Sequence, residues 1–210
     1  MFEYVIKIEN EQPVGYPMLA DNFQQVFNIE KLTQQAVTDK GFAPYLVETQ
    51  PEPSITEKVL DNGLVIGVDG YVRHEYQLVA KSVEEIDGTE LKESLIDALA
   101  EIRWQHETGG ITLTNGISVK TDRESQSAIF NGYNTLKNGL LSSSPWKFKG
   151  QWVDVTLEDI EPIAQAVSRH VKACFSAEKA VSDLIDKATD TDALLAIDLQ
   201  HEFTQALNNG

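Results

Sequence analysis

A chain of 210 residues that is 41% hydrophobic can bury a substantial core, which excludes global disorder. Its formal charge of −16 repels phosphate backbones and disfavours nucleic-acid binding, while suiting a basic protein partner or plain solubility. No apolar run approaches the ~18 residues needed to span a bilayer, and one cysteine, Cys174, excludes an intrachain disulfide and a cysteine-based zinc site.

The N-terminus, Met1-Phe2-Glu3-Tyr4-Val5, has neither the basic flank nor the small-residue cleavage site of a signal peptide, which predicts folding in a cytoplasm. Tyr4, Ile6 and Ile8 alternate with Val5, Lys7 and Glu9 as a first strand. Gly15-Tyr16-Pro17 reads as a chain break. Asp21 or Asn22 then caps a short helical turn with Phe23 and Phe27 on one face. Pro44, Pro51 and Pro53 mark a loop. Asp61-Asn62-Gly63 and Asp69-Gly70 are tight-turn signals with a strand, Leu64–Val68, between them. Tyr71–Val79 is a second, longer strand. The expectation is a small, mainly-β module over residues 1–82 built on an antiparallel sheet.

Residues 83–210 read as a helical module carrying two hairpins. Ser82 with Glu85 has capping-box spacing and is expected to open a long helix to about Gln105 or His106. Leu91, Leu95, Leu99 and Ile102 form its apolar stripe, and Gly109-Gly110 ends it. Asn115-Gly116 between Ile111–Thr114 and Ile117–Lys120 is a strong hairpin signal. Thr121 with Glu124 repeats the box and opens a second helix, with Asp122 in its first turn. Trp146-Lys147-Phe148 and Gln151–Val155 flank Lys149-Gly150 as a second hairpin. Thr156 with Asp159 opens the longest helix, striped by Ile160, Val167, Val171, Cys174, Val181 and Ile185. A short helix from Thr191 and a polar tail with His201 and Phe203, whose last residues Asn208-Asn209-Gly210 are expected to fray, complete the chain. The fold class is therefore α+β, with the two long helices antiparallel.

Chemistry-bearing groups are few. His170 and Cys174, four apart on one helix face, have the spacing of two metal ligands, with His106 or Glu107 as a third; a thiol on an apolar stripe also fits a small buried hydrophobe. Asp122, Arg123 and Glu124 resemble an acid–base cluster, but acids in a first helical turn complement the dipole and cap amides. Ser125 lacks a Gly-x-Ser-x-Gly setting, and Gly63, Gly67 and Gly70 are turn glycines rather than a phosphate loop. Trp104, Trp146 and Trp152 fit interaction hot spots and a core edge equally well.

One ordered set of residues goes further: Arg103, Glu107, Gly109, the run Thr121–Gln126, Trp146-Lys147, Gly150, Ala166-Val167, His170-Val171, Cys174-Phe175 and Glu178. Over roughly residues 90–203 it resembles an uncharacterised C-terminal domain of bacteriophage tail and tail-fibre-assembly proteins. More loosely, Gly15-Tyr16-Pro17, Asp21-Asn22-Phe23 and Asp69-Gly70…Tyr76 resemble the N-terminal module of myovirus-type tail proteins. The resemblance implies a non-enzymatic tail protein without cofactor, working on tail-fibre or baseplate proteins in a multimeric assembly, with neither nucleic acid nor membrane as partner. It implies a location in the host cytoplasm during assembly and in the virion tail afterwards. A fibre-assembly chaperone that leaves before the virion matures stays open beside it. From a different class, a small metal-dependent or hydrolytic enzyme using His170, Cys174 and His106 is the remaining alternative. No catalytic residue carries over.

Overall fold

The computed structural model describes residues 2–148 and 151–209. The chain is α+β and divides into two compact units, Met1–Ile86 and Asp87–Gly210, a few residues beyond the expected break at 82.

The first unit is one five-stranded sheet of β1 (Tyr4–Glu9), β2 (Gln12–Leu19), β3 (Phe42–Tyr45), β4 (Glu57–Ile66) and β5 (Val72–Ala80), in the order β2-β1-β3-β5-β4. Helices α1 (Ala20–Val26) and α2 (Gln34–Thr38) accompany it. Val5 and Ile6 are both fully buried although neighbours on a strand face opposite ways, so β1 is covered on both sides. One side packs Val5 with Phe2, Phe23 and Val37; the other packs Ile6 with Ala43 and Val72. The sheet curls, bringing its outer strands β2 and β4 into contact.

Several sequence expectations for this unit need correction. The sheet is mixed, because β3 and β5 pair in parallel at Tyr45 and Val72. Gly15-Tyr16-Pro17 does not break the chain but lies inside β2, with Gly15 at φ +75° beside a register shift in β1. Edge strands tolerate proline and use glycine for bulges, and β2 is an edge. Asp61-Asn62-Gly63 is likewise a bulge inside β4: Gly63 takes φ +84° and its N–H donates to Asp61 Oδ1 at 2.8 Å. Pro44 belongs to β3. Leu19, with no side-chain cap, starts α1 in place of Asp21 or Asn22.

The second unit runs α3 (Gly88–Thr108), β6 (Ile111–Thr112), β7 (Ser118–Val119), α4 (Arg123–Lys137), β8 (Ser144–Phe148), β9 (Gln151–Val155), α5 (Leu157–Lys187), α6 (Thr191–Leu195) and α7 (Leu199–Asn209). The two longest helices are antiparallel. Lys92 Nζ meets Asp186 Oδ1 at 2.9 Å near one end, and His106 O meets His170 Nε2 at 3.0 Å towards the other. Leu99, Ile160, Val167, Cys174, Val181 and Ile185 are buried, as their stripes require.

The capping signals resolve unevenly. Thr156 and Asp159 form a full box at the start of α5. Ser82 and Glu85 also form one, yet it opens only a 3-10 turn, Val83–Glu85, in the first unit; the long helix starts later, where Asp87 accepts from Thr89 N and Glu90 N. Thr121 is no cap at all. It is fully buried, with its hydroxyl accepting from Gly110 N at 2.8 Å. Asp122 takes that role, accepting from Ser125 N at 2.9 Å, and Glu124 contributes only first-turn charge. Asn115-Gly116 turns as expected, but by a Leu113 O–Gly116 N bond with positive φ at Gly116 alone, and its strands are two residues each. Lys149-Gly150, expected in the second turn, lie outside the described residues. The segment expected as a polar tail is helix α7, which docks through Phe203, fully buried and 5.0 Å from the His106 ring.

Candidate functional site

Glu107 sits in the last turn of α3 with its side chain fully buried. A carboxylate there opposes the negative end of the helix dipole and loses its water, so it needs strong partners. It has three. Arg103, one turn earlier, donates from Nη1 to Oε2 at 2.6 Å, the i,i+4 geometry of a helical ion pair. Arg123, at the start of α4, brings Nη2 to 3.2 Å from Oε1. Gln126 donates from Nε2 to the same oxygen at 3.2 Å and to Thr121 O at 2.7 Å.

The knot extends outward from Arg103. Its Nε lies 3.3 Å from Glu178 Oε2 and its guanidinium carbon 4.8 Å from the centre of the Phe175 ring. Behind it, His170 Nε2 contacts the His106 and Glu107 carbonyls at 3.0 and 3.3 Å. Carbonyl oxygens only accept, so Nε2 carries the proton and satisfies carbonyls that the end of α3 leaves without helical partners. Cys174 Sγ lies 3.9 Å from that nitrogen. Burial, reinforced by the Glu107 charge and only partly opposed by Arg103, pushes the thiol above its ordinary value and keeps it protonated.

In this arrangement the polar groups are engaged with one another and with backbone carbonyls. His170 holds its proton towards carbonyls and is not placed to take one from the thiol, and the Glu107 carboxylate faces arginines. Among the described residues no three His, Cys, Asp or Glu side chains have the geometry of a metal site. His106 does come close to His170, but through its backbone oxygen. Its ring turns towards Phe203 and Gln200.

The three tryptophans separate. Trp146 is half-buried against α4, where an added Cβ on Gly132 would come within 2.7 Å of its Cζ2 atom. Trp104 is 47% exposed and Trp152 70% exposed, so these two present apolar surface outward. Trp146 also borders an open groove of about 760 Å³ between the two hairpins and α5, a feature that sequence reasoning missed because it forms only when the hairpins are placed. In the knot, the Arg103–Glu107 spacing was readable as an ion pair, whereas the Arg123 and Gln126 contacts arise only across the first hairpin.

An α+β chain with a two-hairpin helical unit, closed around one buried carboxylate, defines the class. The chain belongs to the family described as a domain of unknown function, DUF4376, whose pattern matches residues 90–200 and so takes in the whole knot. No curated protein and no solved structure matches the chain.

Proposed function

We propose that this chain is a non-enzymatic bacteriophage tail protein, a component of or adaptor for tail fibres or the baseplate. One observation carries the reading. Arg103, Glu107, Thr121, Gln126, His170 and Glu178, on which much of the tail-protein resemblance rests, bond or ion-pair with one another or with nearby backbone. A set of polar residues occupied in this way builds a rigid scaffold; an active site would aim them into a cavity. Exposed Trp104 and Trp152 supply large apolar contacts of the kind that anchor protein partners. No helix among the described residues is long and apolar enough to cross a membrane.

The test is quantitative mass spectrometry of density-purified phage particles, counting this chain against the major tail protein. A fixed count at a multiple of three or six supports a fibre or baseplate part. Absence from particles, with the chain abundant in infected lysate, makes it an assembly chaperone that leaves its fibre client. Absence from particles together with normal fibre trimers in a deletion strain overturns the proposal.

A further inference from the structure

The groove on the second unit is floored by Ile160, Ile163 and Ala166 of α5 and flanked by Ile111 and Trp146. Residues 111–115 line it without interruption, as do residues 153–155. Successive side chains on a strand alternate between faces, so the joint lining by Ile111 and Thr112 of β6, and by Val153, Asp154 and Val155 of β9, means that the strand edges themselves border the groove. Among the described residues β6 pairs only with β7, and β9 only with β8, leaving each with a free edge. Leu113 N donates to Ile117 O at 2.8 Å, which makes residues 113 and 117 a hydrogen-bonded pair. By antiparallel alternation Ile111 and Val119 form the next such pair, and the Thr112 N–H and C=O point away from β7.

Charge is laid out along the same groove. Asp154, near the base of the second hairpin, and Glu158, in the first turn of α5, stand at one end. Arg169 lies eleven residues further along α5, about 16 Å at the helical rise. Lys147 lines the groove nearer the hairpin tip. About five residues of extended strand cover that span.

We propose that this groove takes an extended segment of a partner protein, paired to the free edge of β6 at Thr112. The segment is apolar at its centre, with a cation at the Asp154–Glu158 end and an acid at the Arg169 end. Main-chain bonds supply affinity, and the floor and end charges supply register and selectivity. The inference rests on the binding-protein reading above but not on a place in the virion.

Selection of a random nonapeptide display library on the immobilised full chain, at low salt and pH 7, tests it. The expected winners carry a base and an acid flanking a β-branched or aromatic run. A synthesised winner should bind about tenfold more weakly to Thr112→Pro, which removes the outward N–H without deleting a β6–β7 bond, and to Ala166→Trp, which fills the floor. Arg169→Glu changes an exposed position and keeps the fold intact; it should reverse the preference, favouring the winner with its acid replaced by lysine. Circular dichroism and melting confirm the fold of each variant. Winners without a common pattern, or winners indifferent to Arg169→Glu, overturn the proposal. So do winners that copy a stretch of this chain together with self-association in light scattering, since the occupant is then a second copy. The selection can succeed while particles lack the chain, so its outcome and that of the virion count are independent.

Discussion

Glu107 organises the second unit because a buried carboxylate is tolerable only while every lone pair faces a donor. Removing one partner of such a group typically costs about 3–5 kcal/mol, since the remaining charge stays buried and unpaired. Arg103→Ala, which leaves the Glu107 carboxylate buried against only Arg123 and Gln126, should therefore lower the urea-unfolding free energy of the full chain by about that amount. Arg123→Ala should cost under about 1 kcal/mol, because the Arg123 side chain is 60% exposed and Arg103 still neutralises the carboxylate. Equal losses in the two variants would mean that Arg103 is not the principal partner of Glu107. Cys174 makes a second prediction at this scale: a fully buried, protonated thiol should resist a disulfide reagent in native buffer and react completely in denaturant. Fast native labelling would place the thiol at the surface. Cys174 was legible as core from its stripe. The role of Thr121 was not, because a hydroxyl three residues before a glutamate has the same spacing whether it caps its own helix or accepts from a glycine eleven residues back.

Elements were legible where local signals had no competitor. Thr156–Asp159 and Asn115-Gly116 worked as local rules because the chain around them had nothing stronger to satisfy. Ser82–Glu85 formed its box and yet did not start the long helix, since Asp87 offers an acceptor to two amides five residues on. Gly15 and Gly63 misled for a related reason: positive φ is shared by hairpin turns and bulges, and only pairing on both sides tells them apart. Packing between elements was invisible to sequence and is testable at Gly132. Glycine to alanine inside a helix ordinarily gains about 0.5–1 kcal/mol. Here the new methyl would sit 2.7 Å from the Trp146 ring and 3.0 Å from Ile160 Cδ1. A rigid indole cannot yield that space cheaply, and overpacking costs about 1–3 kcal/mol, so Gly132→Ala should lower Tm. A rise in Tm would show that Trp146 is free to move off α4. The last helix offers the converse case. Phe203 is fully buried, so Phe203→Ala should cost about 3–5 kcal/mol in denaturant titration, whereas a fraying tail would lose almost nothing.

At the scale of the whole molecule, two charge effects oppose each other as pH falls. With a formal charge of −16 at pH 7 and an isoelectric point near 4.5, self-repulsion strains the compact state at neutrality and relaxes on acidification. Against this stand carboxylates that folding holds below their ordinary values. Asp87, Asp122 and Asp159 are lowered chiefly by backbone N–H groups at helix starts, Asp61 by the Gly63 N–H in the bulge, and Asp69 by Arg73. A depressed carboxylate contributes stability that is fully present above its unfolded value, 3.8 for aspartate, and is lost as pH falls through the folded one. Cys174 acts at the other extreme. Its raised value favours the folded thiol below the ordinary 9.0, and that stability fades as pH climbs through the folded value. Relief of repulsion thus operates first on the way down from neutrality, and loss of the caps follows at lower pH. Stability should peak at about pH 5–6, acid of neutrality yet above the isoelectric point. Urea midpoints measured in steps from pH 3 to pH 10 check this, and added salt should raise the pH 7 midpoint more than the pH 5 one by screening the residual repulsion. A peak at or above pH 7, with no difference in salt response, would mean that the acid excess lies too widely spread to strain the fold.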